Sequence, residues 1–155
     1  MHVPPSISPV IIESLYEEAL ALADEARASF DLSSHDDVFG EVESAARVAL
    51  SCEALRTTTR MMHAIAWLLN HRAYFKGEMT EFQLRRYGRL PKPQADGTKA
   101  QMARLDLATL ELVNRTKLFY GRLARLDRAW QESFAMQPPA VERLRHRIDS
   151  AFAMH

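Results

Sequence analysis

The stretch EALRTTTRMMHAIAWLLNHRAYFKGE, Glu53–Glu78, decides the fold. It contains no glycine or proline before Gly77. From Met61 to Leu69 the only polar side chain is His63. A run that short cannot span a bilayer, which takes roughly 20 apolar residues. It is also too apolar for a helix that turns one face to water. Around it, Val48, Cys52, Leu55, Thr59, Met62, Ala66, Leu69 and Ala73 step by fours and threes. That spacing is the seam of a coiled-coil-like bundle. It predicts a helix from about residue 41 to about residue 76, with these residues facing the core and Gly77 as its C-terminal stop.

A second apolar stripe runs beside the first: Leu50, Ala54, Met61, Ile65, Leu68 and Phe75. On a wheel of about 100° per residue the two stripes span roughly 220°, about twice what one packed face needs. Trp67 and Tyr74 add apolar area on the opposite flank. The surplus predicts contact with a second chain, because several wet Leu- or Phe-sized side chains are a liability for a soluble protein. The candidate homodimer interface is Met61, Ile65, Leu68 and Phe75, with Trp67 from the other flank.

Outward from this helix the pattern repeats. Ser8 is placed to cap a first helix with Pro9 at its first position. Ile12, Leu15, Ala19, Leu22 and Ala26 form its apolar stripe. Asp36 or Asp37 is placed to cap the next helix. Thr80 and Gln83 have capping-box spacing, which predicts a short helix over TEFQLRRYG. The segment GRLPKPQADGTK reads as a loop. A third long helix follows from about Thr98 to Ala135, with Met102, Leu105, Thr109, Leu112, Thr116, Phe119, Leu123, Leu126 and Trp130 in its stripe. Thr59, Thr109 and Thr116 are read as polar layers that set register, each hydroxyl returning to a carbonyl one turn back. Pro138-Pro139 ends that helix, and Val141, Leu144, Ile148 and Phe152 give the tail the pattern of a short amphipathic helix. No alternation of period two appears, so no strand is expected. The reading is all-α: an antiparallel three-helix bundle, with an arm at 1–8, the bundle at 9–136 and a tail at 137–155.

The 155 residues carry 20 basic and 20 acidic side chains, distributed unevenly. Residues 1–55 hold 11 acids and 2 bases, whereas residues 56–155 hold 9 acids and 18 bases. The simplest account is an acidic first helix lying against a basic later one. The N-terminal MHVPPSISP has no basic region and no apolar core of a leader, so a cytoplasmic protein is expected.

Chemistry is sought and not found. The Glu-x-x-His pairs of di-iron bundles are missing, and His63 and His71 lie more than two turns apart on one helix. A single cysteine, Cys52, rules out an internal disulfide and a multi-cysteine zinc site. On the core seam it acts as a small apolar residue. No phosphate loop, GxSxG or HExxH occurs. No enzyme, cofactor or metal is expected. The arginines remain: Arg85, Arg86 and Arg89 after the second helix, and Arg143, Arg145 and Arg147 in the tail. They are the candidate partner-binding residues. Nucleic-acid binding through them, together with Lys92, Arg122, Arg125 and Arg128, is the alternative function.

One run carries a resemblance. Leu55-Arg56, Thr58-Thr59-Arg60, Met62, Trp67-Leu68-Leu69, Arg72-Ala73 and Gly77-Glu78 resemble the signature of the alphaproteobacterial regulator of CtrA degradation (RcdA) family, also catalogued as a domain of unknown function. The acidic first helix ending in EARASF and the long third helix are similar too, so the likeness covers roughly residues 10–135. The resemblance implies a dimeric three-helix bundle without enzymatic activity. It implies an adaptor in cell-cycle regulation that delivers CtrA and other substrates to the ClpXP protease. A receiver-domain priming protein and a cyclic-di-GMP effector would assist, with a flexible C-terminal tail contributing.

Overall fold

A computed structural model of the chain describes residues 7–33, 41–135 and 140–153. They form six helices: α1 (Pro9–Ser33), α2 (Glu41–Phe75), α3 (Glu81–Tyr87), α4 (Lys99–Met102), α5 (Leu107–Ala135) and α6 (Ala140–Phe152). There is no strand among the described residues. Asp36, Asp37, Pro138 and Pro139 lie outside them.

The ends of the helices follow local chemistry. The Ser8 hydroxyl accepts the Ile11 amide at 3.2 Å, satisfying one of the orphan donors of the first turn of α1. At the far end of α2, Gly77 adopts φ +78°, which L side chains rarely tolerate. That turn lets the Glu78 amide reach the Ala73 carbonyl and the Gly77 amide the Tyr74 carbonyl, the paired bonds of a Schellman stop. Thr80 and Gln83 exchange the two bonds of a capping box at α3. The third long helix is shorter than its spacing predicts. The chain turns between α4 and α5, and Asp106 starts α5 afresh by accepting the Thr109 amide at 3.0 Å.

α1, α2 and α5 pack on one another. Side-chain pairs fix their directions. Glu18 meets Arg122 and Glu25 meets Arg115, so α1 runs opposite to α5. Glu13 meets Arg72 near the start of α1 and the end of α2, so these two are also antiparallel. Arg60 meets Thr116 and Trp67 meets Asp127, so α2 and α5 run the same way. α1 is thus antiparallel to α2 and to α5, whereas α2 and α5 are parallel and depart from the antiparallel arrangement expected of the three long helices. The segment from Lys76 to Asp106, with α3 and α4 in it, carries the chain from the end of α2 to the start of α5. The three ion pairs of α1 with Arg72, Arg115 and Arg122 explain the uneven charge of the two halves: acids of the first helix face bases of the later ones. Being exposed, each is screened by salt and contributes little to stability.

The stripes read for α1 and α5 are the buried ones. Ile12, Leu15, Ala19, Leu22 and Ala26 meet Leu112, Phe119 and Leu123 in one cluster, with Leu126 and Trp130 packed against it. On α2 the outcome is reversed. Its contribution to that cluster is Met61, Ala64, Trp67 and Leu68, and the rest of its buried face is Ala49, Glu53, Thr57, Arg60 and His71. The seam expected to face the core turns outward: Val48 is 57%, Leu55 69%, Met62 65% and Leu69 43% exposed. Ala66 is exposed as well, and Cys52 is half-buried rather than a core residue.

Candidate interaction surface

The inner face of α2 is held by polar side chains that position the outer one. Arg60, buried, donates from Nη1 to the Thr116 hydroxyl at 2.9 Å, and that hydroxyl donates to the Val113 carbonyl at 2.7 Å. Burial pulls the Arg60 guanidinium below its usual pKa, opposed by Glu53 and Asp96 nearby. Glu53 accepts Arg56 Nε at 3.2 Å, and Arg56 reaches Gln101 at 3.3 Å, tying α2 to α4. Asp127 on α5 accepts the Trp67 indole N–H at 3.0 Å and the Leu90 amide at 3.3 Å. The Tyr120 hydroxyl donates to the Pro91 carbonyl. These bonds strap the extended segment after α3 onto α5. Thr109 and Thr116 are buried, as a polar layer requires. On α2 the buried threonine is Thr57, whereas Thr59 lies on the outward side and is half-buried.

Glu53 Oε1 and Gln131 Nε2 are buried without a hydrogen-bond partner, and His71 lacks one at both of its ring nitrogens. This histidine is fully buried, and its ring centroid lies 4.0 Å from that of Trp67 and 5.3 Å from that of Trp130. Burial pushes its pKa down to about 4. An unfolded chain titrates the same ring near 6.5, so it binds the proton that the folded protein refuses. Folding stability is therefore complete above about pH 6.5 and falls as pH drops toward 4. Between pH 7 and pH 5 the expected loss is about 2 kcal/mol. Urea unfolding across that range checks it, and in a His71→Leu variant this part of the pH dependence should vanish.

Most of the residues read from the sequence as a dimer interface are turned inward. Met61, Trp67 and Leu68 are buried inside the protomer, and Ile65 and Phe75 are partly buried against the same cluster. The surplus apolar width of α2 is consumed by two neighbours, α1 and α5, and by α3 at its end. What remains is the outward seam. From Val48 to Ala73 its positions are Val48, Cys52, Leu55, Thr59, Met62, Ala66, Leu69 and Ala73, and none is charged. At 1.5 Å per residue it is about 38 Å long. Monomeric proteins rarely leave so continuous an apolar strip in water. Beside it, between α1 and α2, lies an open groove of about 420 Å³ whose apolar lining includes Ala23, Phe30, Met61, Met62 and Ile65.

The candidate partner-binding arginines are exposed. Arg85 and Arg86 occupy the last turn of α3, where positive charge suits the helix dipole, and Arg89 follows. Arg143, Arg145 and Arg147 are exposed on α6, whose apolar side, Leu144, Ile148 and Phe152, is exposed as well.

Among the described residues no group of three or more His, Cys, Asp or Glu is placed to hold a metal ion, and no helix is long and apolar enough to cross a membrane. Arg60 with Thr116 and Trp67 with Asp127 are hydrogen bonds that tie α2 to α5. The architecture is that of an all-α protein whose most distinctive surface is an uncharged helix face. The chain belongs to the family described as a protein of unknown function (DUF1465), which it matches over residues 4–152. No curated protein and no solved structure matches it.

Proposed function

We propose that the chain is a non-enzymatic adaptor that acts through protein–protein contacts. The observation that carries this reading is the outward face of α2, about 38 Å of helix without a charge and with four large apolar side chains in water. A face of that kind is built for a second surface. The likeness of Leu55-Arg56, Thr58-Thr59-Arg60 and Trp67-Leu68-Leu69 to the regulator of CtrA degradation family supports a specific role. In that role the protein brings cell-cycle regulatory substrates to ClpXP in the cytoplasm, together with a receiver-domain priming factor. It works as a homodimer. The exposed apolar stripe of α6, flanked by Arg143, Arg145 and Arg147, serves as a second contact.

The test is a tagged pulldown from the native cells combined with substrate half-lives in a deletion strain. Recovery of a protease component or response regulator, with a longer substrate half-life on deletion, is the expected result. Failure of both would end the adaptor reading. Replacing Arg143, Arg145 and Arg147 by Ala should weaken delivery while leaving the melting temperature within about 1 °C, because exposed substitutions away from packing rarely exceed ~0.5 kcal/mol. The nucleic-acid alternative draws on the same arginines and on Arg85, Arg86 and Arg89. It has less charge to use than the composition suggests, since Arg115 and Arg122 face Glu25 and Glu18. Its signature would be a mobility shift that fades steeply with salt.

A further inference from the structure

Resting on the reading of the chain as a protein-contact module, but on residues separate from α2's outer face, we propose a binding site for an acidic segment of a partner protein. The pocket between α5 and the strap after α3 takes the carboxylate of an aspartate or glutamate in that segment. The pocket is open and has a volume of about 270 Å³. Three cations line it: Arg89 and Lys92 from the strap, and Arg128 from α5. Three other basic side chains of α5 are paired, Arg115 with Glu25, Lys117 with Asp96 and Arg122 with Glu18. Among the described residues, Arg89, Lys92 and Arg128 make no such pair.

Two acids line the pocket as well. Asp127 is occupied by the Trp67 indole and the Leu90 amide, and Glu132 is in no ion pair among the described residues. The lining thus has a single positive charge in surplus. One carboxylate balances it, whereas a phosphodiester strand, with a charge at every step, would be opposed by both acids. Gln131 is a second sign of an acceptor. It lines the same pocket, and its Nε2 is buried without a hydrogen-bond partner, a costly state for a donor. Rotation of its side chain presents that donor to a bound carboxylate, whose oxygens then meet cations and an amide together.

The walls are set before any ligand arrives. Pro91 and Pro93 fix φ and have no N–H to offer a neighbouring strand. Asp127 holds the Leu90 amide at 3.3 Å, and the Tyr120 hydroxyl holds the Pro91 carbonyl. A site ordered in advance gives up less freedom on binding. The volume is below the roughly 300–1,000 Å³ of cofactor-sized sites, so it fits one side chain rather than a nucleotide. Being open, it suits a side chain lowered in from a passing chain more than a chain end. On α3, from which the strap issues, Phe82 and Tyr87 are largely exposed. Exposed aromatics beside arginines are what protein interfaces concentrate.

The probe is an end-capped, fluorescein-labelled Gly-Ser-Phe-Glu-Leu-Ser-Gly peptide, titrated with the full-length protein and read by anisotropy. Its Gln counterpart should bind about tenfold more weakly, the worth of a charge-assisted hydrogen bond. Arg128→Ala and Lys92→Ala should each weaken the Glu peptide about fivefold to tenfold without loss of helicity, and Arg128→Lys should recover most of it. Arg104→Ala, exposed beyond α4, should change nothing. In amide correlation spectra the Gln131 side-chain signals should move with the Glu peptide and not with the Gln peptide. Equal binding of the two peptides, no saturation at millimolar peptide, or full binding by Arg128→Ala overturns the proposal. Tighter binding of an uncapped Gln peptide makes the occupant a chain end, and tighter binding of oligothymidylate makes it a nucleic acid; either overturns the acidic side chain. A failed protease pulldown with intact peptide binding strikes the adaptor role alone. A recovered protease partner without peptide binding strikes this pocket alone.

Discussion

Leu68→Asp is expected to unfold the protomer outright. Leu68 has no exposed surface and sits in the cluster where α1, α2 and α5 meet. The substitution removes a buried isobutyl group, worth about 2–5 kcal/mol with its cavity. It also places a carboxylate in an apolar cluster, which adds several kcal/mol unless the group takes up a proton. Domains of this size have only about 5–15 kcal/mol to lose. Far-ultraviolet circular dichroism should show loss of helix at neutral pH and partial recovery on acidification. The matched change on the outer seam, Leu55→Asp, should keep the helical signal. If Leu68→Asp instead gave a fully helical protein, the placement of the inner and outer faces of α2 would be wrong.

Asp127→Ala should cost about 3 kcal/mol and release the strap after α3. Two donors depend on this carboxylate, the Trp67 indole and the Leu90 amide. A buried donor left without an acceptor costs about 1–3 kcal/mol. Asp127→Asn keeps one acceptor oxygen and should lose roughly half as much. Urea titration gives the magnitudes. Limited proteolysis gives the location: cleavage after Arg89 should accelerate in Asp127→Ala before the rest of the chain becomes susceptible. Equal protection of that segment in the variant and the parent would remove Asp127 from this role.

Much of the architecture was legible in the sequence. The helix limits came from Ser8-Pro9, Gly77 and the Thr80–Gln83 box, whose meaning is local. The core stripes of α1 and α5 came from spacing, because each helix has one apolar face and one charged face. α2 broke the rule on which that method rests. Its buried face carries Glu53, Arg60 and His71, and its exposed face carries Val48, Leu55, Met62 and Leu69. A hydrophobic pattern ranks those faces the wrong way round. The missing signal was one of pairing: Glu53, Arg60 and Trp67 recur every seven residues, and the partners of Arg60 and Trp67, Thr116 and Asp127, lie on α5. No single-helix pattern contains that information. The same inversion leaves Met61, Trp67 and Leu68 buried and puts the apolar surface proposed for contacts on the opposite side of the helix.

The shared direction of α2 and α5 has a kinetic consequence. α1 and α2 are chain neighbours and close as a hairpin over a short connection. α5 can join only after the whole return from Lys76 to Asp106 has been made, and its bonds to α2 link residues 56 and 60 positions apart. Contacts of such separation form late, since the loop entropy must be met before they contribute. A chain leaving the ribosome thus presents an α1–α2 hairpin with both sides of α2 uncovered. One side waits for α5 to be synthesised. The other is already complete, so association through it need not wait for the fold to finish.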